Sequence, residues 1–323
     1  MNFFKKDIDV NFMGIKKYTF ALSFVCLIFT VFLLLSKGIN FGIDFKGGTL
    51  IQLQYDKPAN IPLIRNTLIK SEEFNNALVS EFGSDREVIV KISNVSKNIT
   101  NDMGDVITKI LKDSGNFEVR RVDIVGAKVG NELKEKGIIA FSLSILVIIL
   151  YITFRFEWRF SIASIMALLH DVGITLGIII LFGIDVNLDI LAAILTIIGY
   201  SLNDTIIVFD RIREKLKDSK NTKLTDIINE AISGTISRTT LTSLTTFFVV
   251  LTLYLFGGEI LNGFALTLLV GVIVGTYSSI FIASSFLNIL NFNVSSYRKT
   301  QYDKLKQAKE KERLRKLYEG GVV

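Results

Sequence analysis

The sequence predicts a membrane α-helical protein with six transmembrane helices and one extracytoplasmic α+β domain between the first two. Three observations carry that expectation. Half of the 323 residues are hydrophobic, and the mean hydropathy is +0.45, a surplus that a soluble domain of this size rarely carries. Six apolar stretches, 18–36, 137–154, 161–182, 188–208, 239–257 and 263–290, each approach or exceed the ~20 residues that cross a hydrocarbon core as helix. Both prolines, Pro58 and Pro62, fall outside them. The third observation is charge placement. Of 37 Lys and Arg, 22 lie in the first 17 residues, 155–160, 209–238 and the tail beyond 290, whereas the short loops Gly183–Leu188 and Gly257–Asn262 contain none. The positive-inside rule therefore puts both termini in the cytoplasm. The remaining 15 sit beside 14 acids in 37–136, a segment long enough to escape the rule.

The first stretch, 19 residues without a following small-x-small site, reads as an uncleaved anchor rather than a signal peptide. It carries Cys26, the single cysteine, so no internal disulfide and no thiol–metal site are expected. A net charge of +6 is ordinary for membrane flanks and implies no nucleic acid. Four parts follow: 1–36, the cytoplasmic N-terminus and first helix; 37–136, the outer domain; 137–290, helices two to six with a cytoplasmic loop 209–238; and 291–323, a basic cytoplasmic tail.

In the outer domain, Leu50–Tyr55 alternates like a strand and Ile61–Ser71 has helical spacing. Ala77–Phe82 and Glu87–Ser93 read as short strands joined by the turn Gly83-Ser84-Asp85-Arg86. Ile99–Lys112 places Ile99, Met103, Val106, Ile107 and Ile110 on one helical face, and Phe117–Val125 is a last strand. The order βαββαβ is that of a ferredoxin-like unit. Without clustered His, Cys or paired carboxylates, the domain reads as a binding or moving part rather than an enzyme.

Ionisable groups inside the spans carry most of the functional information, because a carboxylate at the bilayer centre costs about 2.5–3.5 kcal/mol on insertion scales. His170, the only histidine, and Asp171 sit near the middle of the third span. Two readings stay open for them: a polar pair gluing helices together, or a protonatable step in an ion path. In the fourth span, Thr196, Tyr200 and Asp204 recur at i, i+4 and i+8 on one face, and Ile206-Ile207-Val208-Phe209 follows Asp204 before the charged boundary. The fifth opens with Ser237-Arg238-Thr239-Thr240 and continues through Thr242, Ser243, Thr245 and Thr246. Arg238 and Asp204 both enter from the cytoplasmic side, so a switchable ion pair is one expectation, and a snorkelling structural arginine is the other. Gly173/Gly177 and Gly271/Gly275 permit close helix contacts. Leu224, Ile227, Ile228, Ala231 and Ile232 form an apolar stripe, read as a short cytoplasmic helix on the membrane surface or on a partner. The tail from Arg298 to Lys316, with nine basic and three acidic residues, reads as a solvated helix with attraction to anionic membrane lipid.

These runs together resemble the SecF family, the smaller member of the SecD/SecF pair attached to the bacterial Sec translocase. The matching segments are Phe41-Gly42-Ile43-Asp44-Phe45-Lys46-Gly47-Gly48-Thr49, Leu169–Thr175 (LHDVGIT) and Gly199–Glu214 (GYSLNDTIIVFDRIRE). Ser237–Ser243 (SRTTLTS), Tyr254–Gly258 (YLFGG) and Gly275–Ser279 (GTYSS) complete the ordered set. Two positions depart from the pattern. Lys46 stands where a hydroxyl or small residue is common, and Ala127 replaces the usual proline of the run Val125–Gly130.

The resemblance implies a helix bundle of the resistance-nodulation-division type in the bacterial cytoplasmic (inner) membrane, with SecD supplying six further helices. It implies proton-driven export of unfolded preproteins through SecYEG and its accessory subunits, with sodium as coupling ion in some members and no cofactor. Within it, Asp204 of the NDT motif and Arg238 of the SRTT motif are implicated in proton passage, with Tyr200, Asn203 and Thr239 positioning the path. His170 and Asp171 stay, on the residues alone, a candidate secondary polar site. A half-size exporter of small molecules or lipids and a structural translocon scaffold are the alternatives. An intramembrane hydrolase is not expected, since His170-Asp171 has no nucleophile beside it.

Overall fold

The structure, a computed structural model, describes residues 11–71, 74, 77–92, 103–290 and 292–319. Ser93, the 99–102 start of the helix expected at Ile99–Lys112, and residues 1–10 and 320–323 of the segments expected in the cytoplasm lie outside the described residues. A 3₁₀ turn, Phe12–Ile15, leads into α1 (Lys16–Ser36). The short α2 (Ile43–Lys46) then turns the chain into β1 (Gly48–Tyr55). α3 (Ile61–Ile69), β2 (Leu78–Phe82), β3 (Ser84–Ile92), α4 (Met103–Ile110) and β4 (Phe117–Val125) complete a small α+β unit. Five long helical stretches follow: α5 (Ala127–Arg155), α6 (Trp158–Leu181), α7 (Leu188–Asp218), α8 (Leu224–Phe256) and α9 (Glu259–Tyr277). α9 continues through a π-helical segment, Ser278–Ala283, into α10 (Ser284–Ile289), and α11 (Val294–Glu319) closes the chain.

The four strands lie in the order β2-β3-β1-β4, each antiparallel to its neighbour. Each helical crossover skips one strand: α3 joins β1 to β2 and α4 joins β3 to β4. Ile51, Leu53, Val88 and Val90 face Ile64, Leu68, Met103 and Ile107 in one apolar core. Asn60 starts α3 by accepting a hydrogen bond from the Leu63 amide (3.1 Å), with Pro62 early in the first turn where no amide is needed. The β2–β3 connection is tighter than the expected four-residue turn. Gly83, at φ +75°, reverses the chain almost alone, and Ser84-Asp85-Arg86 already belong to β3.

Six helices are long and apolar enough to cross a membrane, and the chain is a multi-pass membrane protein. The glycine pairs identify which helices meet. A Cβ on Gly173 would strike Leu27 of α1, and one on Gly177 would overlap Thr30, so this pair seats α1 on α6. Gly271 and Gly275 seat α9 against Ile197 and Ser201 of α7 in the same way.

Two expectations are corrected at one end of the bundle. Residues 209–238 are not a loop with a separate surface helix: α7 runs on to Asp218 and α8 begins at Leu224, with only five residues between them. The stripe Ile227, Ile228, Ala231 and Ile232 is fully buried against Phe209, Ile212, Leu216, Met13 and Leu287. Packing the stripe into protein buries more apolar area than resting it on a lipid surface, so the two helices simply extend. The ends are pinned. Arg155 makes a bidentate pair with Asp210 (2.8 and 3.0 Å), and Arg298 donates to the carbonyls of Leu216, Ser219 and Asn221 at 2.7–2.9 Å, closing the C-terminus of α7.

The sheet joins the bundle at Gly47-Gly48, both at positive φ. A Cβ on Gly47 would lie 2.6 Å from the Ala127 Cα, and Gly130 approaches the Gly47 amide as closely. Ala127 is the first residue of α5, a position that proline suits but does not require. α5 therefore starts ten residues before the expected span, directly after β4. The opposite side is tied by a parallel bridge between Phe41 and Val186, by the Leu188 amide donating to Asp44 (3.0 Å), and by a Lys91–Asp185 ion pair.

Candidate functional site

Mid-bundle, four helical elements pool their polar side chains. His170 and Asp171 are neighbours on α6, buried to 4% and 0% exposure. His170 Nδ1 lies 2.9 Å from Asp171 Oδ1, and its Nε2 lies 3.0 Å from Ser23 Oγ on α1. Ser23 Oγ is 3.1 Å from the hydroxyl of Tyr277, the last residue of α9, and that hydroxyl donates to the Thr19 carbonyl at 2.8 Å. The Tyr277 ring also stacks on the His170 ring, with centroids 6.0 Å apart. On its other side Asp171 accepts at Oδ2 from Ser201 of α7 (2.5 Å) and from Ser278 of the π-helical segment (2.7 Å). Gly275 lets α9 pack directly against Ser201 beside that bond. Both oxygens of Asp171 therefore have hydrogen-bond partners, as a buried polar group requires.

One turn along α7, Asp204 is equally buried but differently served. Ser243 of α8 donates to Oδ2 at 3.1 Å, and Thr276 Oγ1 lies 2.7 Å from both Ser243 Oγ and the Val272 carbonyl. Oδ1 is buried with no hydrogen-bond partner, and so is the Tyr200 hydroxyl four residues earlier.

Of the residues singled out by sequence, His170 and Asp171 come together. Tyr200 and Asp204 share one helix. The expected Asp204–Arg238 pair is not made. Thr235, Thr239 and Ser243 turn one buried face of α8 inward, and Arg238, about 100° from Thr239, stays exposed. The Thr239 hydroxyl bonds carbonyls of its own helix, Thr235 (3.3 Å) and Ile236 (3.2 Å), and Asn203 is exposed on α7. Sequence reasoning named Ser243 only within a hydroxyl-rich face, quoted Ser201, Thr276, Tyr277 and Ser278 only within matching runs and without a role, and passed over Ser23. A signal for Ser23 was present: Thr19, Ser23, Cys26 and Thr30 recur at helical spacing through an otherwise apolar anchor.

Two fully buried aspartates on neighbouring packed spans, Asp171 and Asp204, mark the chain as a polytopic membrane protein of the transport class. The family model described as protein export membrane protein SecD/SecF, C-terminal, matches residues 106–293, and the SecD/SecF GG motif matches 32–59. The chain is 47% identical to protein translocase subunit SecF of Helicobacter pylori over the full length of both. It is 43% identical to that of Calditerrivibrio nitroreducens, across 88% of this chain and 95% of the relative. It also superposes on the crystal structure of SecDF, a translocon-associated membrane protein from Thermus thermophilus, with a TM-score of 0.80 at 34% identity. That match covers 87% of this chain and 38% of SecDF. The chain belongs to the SecF family of protein translocase subunits.

Proposed function

We propose that this SecF-family subunit promotes preprotein export by letting protons cross the membrane through Asp204. The observation that carries the reading is the state of that side chain: wholly buried, with Oδ1 unpartnered and Oδ2 held by one serine. A bare buried carboxylate oxygen is costly, and binding a proton there removes the charge that makes it so. Tyr200 supplies an equally unpartnered hydroxyl on the same face. Ser243, Thr276 and Thr239 supply hydroxyls on the facing helices. Arg238 and Asn203 act from the exposed face of α7 and α8, which also carries Thr196, Thr242 and Thr245.

A guanidinium and an amide on a flank of the bundle are poorly placed against lipid. A second membrane bundle covering that flank satisfies them, and SecD is the partner we assign. In this reading the two together form a bundle of resistance-nodulation-division type beside SecYEG in the cytoplasmic membrane. Both termini face the cytoplasm, and the βαββαβ unit is a ferredoxin-like domain on the outer side, where it meets the unfolded preprotein. The basic α11 meets anionic lipid. The protein is a gradient-driven subunit rather than an enzyme.

A membrane potential of 100 mV is worth about 2.3 kcal/mol per charge that crosses fully. That biases a two-state helix rearrangement only if protonation stabilises one state over the other. Export into inverted membrane vesicles holding this chain and SecD tests the reading, wild type against Asp204→Asn, with the proton gradient present and then collapsed. Wild type is expected to gain from the gradient, and the variant, equally abundant and assembled, to gain nothing. A variant that responds as wild type does ends the role given to Asp204. Replacing the proton gradient by a sodium gradient identifies the coupling ion.

A further inference from the structure

The hydrogen bonds around His170 have a fixed direction, and that direction counts protons. Tyr277 has one hydroxyl proton, and it goes to the Thr19 carbonyl, which only accepts. The contact between Ser23 and Tyr277 must therefore use the Ser23 proton. Ser23 Oγ, its own proton spent, is left to accept from His170, so Nε2 carries hydrogen. Nδ1 then faces Asp171 Oδ1 at 2.9 Å. Two bare acceptors do not hold that distance, so one proton sits between them, on the imidazole or on the carboxyl. Ser201 and Ser278 donate to the other oxygen and leave the count unchanged.

We propose that His170 and Asp171 form a second proton-binding site, holding one shared proton whose release unlocks Tyr277 from the Thr19 carbonyl of α1. When that proton departs to water, the pair is left as a carboxylate and a neutral imidazole. Their contact survives only if the imidazole moves its hydrogen to Nδ1 and donates to Asp171. Nε2 then becomes an acceptor, Ser23 turns to donate to it, and Tyr277 turns to donate to Ser23. The Thr19 carbonyl loses its Tyr277 partner, one of the two hydrogen bonds between α1 and the end of α9, and only the bond through Ser23 remains. The unlocking falls where α9 passes into the π-helical segment Ser278–Ala283, a backbone form that often marks functional positions.

The facing groups are accounted for. α1 presents Ser23, α7 presents Ser201, and the α9 end presents Tyr277 and Ser278. Asp204, one turn along α7, is hydrogen-bonded by Ser243 instead. α5 presents the apolar Ile145, Ile148 and Ile149 to this part of α6. Among the described residues no lysine, arginine or glutamate bonds to the network. The inference stands on bond direction and does not depend on the role given to Asp204.

Because His170 is the only histidine, nuclear magnetic resonance of the full chain with nitrogen-isotope-labelled histidine reads this site alone. In lipid vesicles, raising the pH is expected to produce one transition in which Nε2 loses its hydrogen while Nδ1 carries it. Tyr277→Phe removes the Thr19 lock, so the same changeover is expected about one pH unit lower, the worth of one hydrogen bond. Asp171→Asn, if it folds, is expected to abolish the transition. A wild-type histidine that holds Nδ1–H with a bare Nε2 at every pH overturns the shared proton. A changeover unmoved by Tyr277→Phe overturns the unlocking.

Discussion

Asp171 and Asp204 are both fully buried aspartates of the same bundle, yet they are built on opposite plans. Asp171 is bonded by His170, Ser201 and Ser278, so that α6, α7 and the continuation of α9 close on it, with α1 reached through His170. Asp204 has one donor, Ser243, and one oxygen with none. A saturated carboxylate holds its neighbours in a single arrangement, because each partner left unpaired costs about 1–3 kcal/mol. A half-served carboxylate has little to lose by changing its charge or its partners. The first plan suits a lock whose partners rearrange together only when its proton count changes, and the second a site of ready exchange.

Removing each carboxylate gives the largest effect that separates the plans. Asp171→Ala strands His170, Ser201 and Ser278 together and is expected to cost about 3–5 kcal/mol of unfolding free energy. Asp204→Ala, freeing only Ser243, which can turn to Thr276, is expected to cost about 1 kcal/mol or less. Denaturant unfolding in micelles measures both, and equal losses would erase the distinction. Next in size, Gly275→Ala sets a Cβ 2.9 Å from that of Ser201, and such overpacking costs about 1–3 kcal/mol. The strain falls on the Asp171 side, so thermal stability should drop while the gradient response of the surviving protein persists. Smaller still, Ser201→Ala should lower the melting temperature more than Ser243→Ala, since it removes a donor from a more tightly organised centre. Ser243→Ala should instead alter gradient-driven export. The smallest structural effect is expected from Arg238→Ala, an exposed change within about 0.5 kcal/mol. Its export defect in vesicles, with unfolding unchanged, would separate the exposed flank from the interior.

Much of this was legible in the chain. The spans were readable because lipid demands long uninterrupted apolar runs, and five of the βαββαβ elements begin or end within two residues of where alternation and helical spacing put them. The helix expected at Ile99–Lys112 likewise ends within two residues of its expected end, at Ile110, and is described from Met103. What escaped were relations between helices. Nothing in the spacing of Arg238 and Asp204 tells that α8 turns Ser243 rather than Arg238 toward α7, since rotation about a helix axis is decided by packing. The serines around Asp171 are weak signals singly, because serine is common in spans for other reasons. The stripe at Leu224–Ile232 was correctly read as apolar and helical, but its partner was misjudged, because periodicity gives a buried face without saying what buries it.

That misjudged stripe makes α7 and α8 unusually long, at 31 and 33 residues. At 1.5 Å per residue they measure about 46 and 50 Å, well beyond a hydrocarbon core of about 30 Å. Two rods of that length, touching at Asp204 and Ser243 near their middles, behave as levers. A tilt of about 5° at the contact sweeps each end through roughly 2 Å, given the 1.5 Å rise. At one end that stroke reaches the start of α7, where Leu188 is bonded to Asp44 just ahead of the Gly47-Gly48 junction. At the other it reaches the C-terminal end of α7, where Arg298 donates to the carbonyls of Leu216 and Ser219. On the role proposed for Asp204, a change in how Ser243 meets it would be geared into displacement at both ends of these helices.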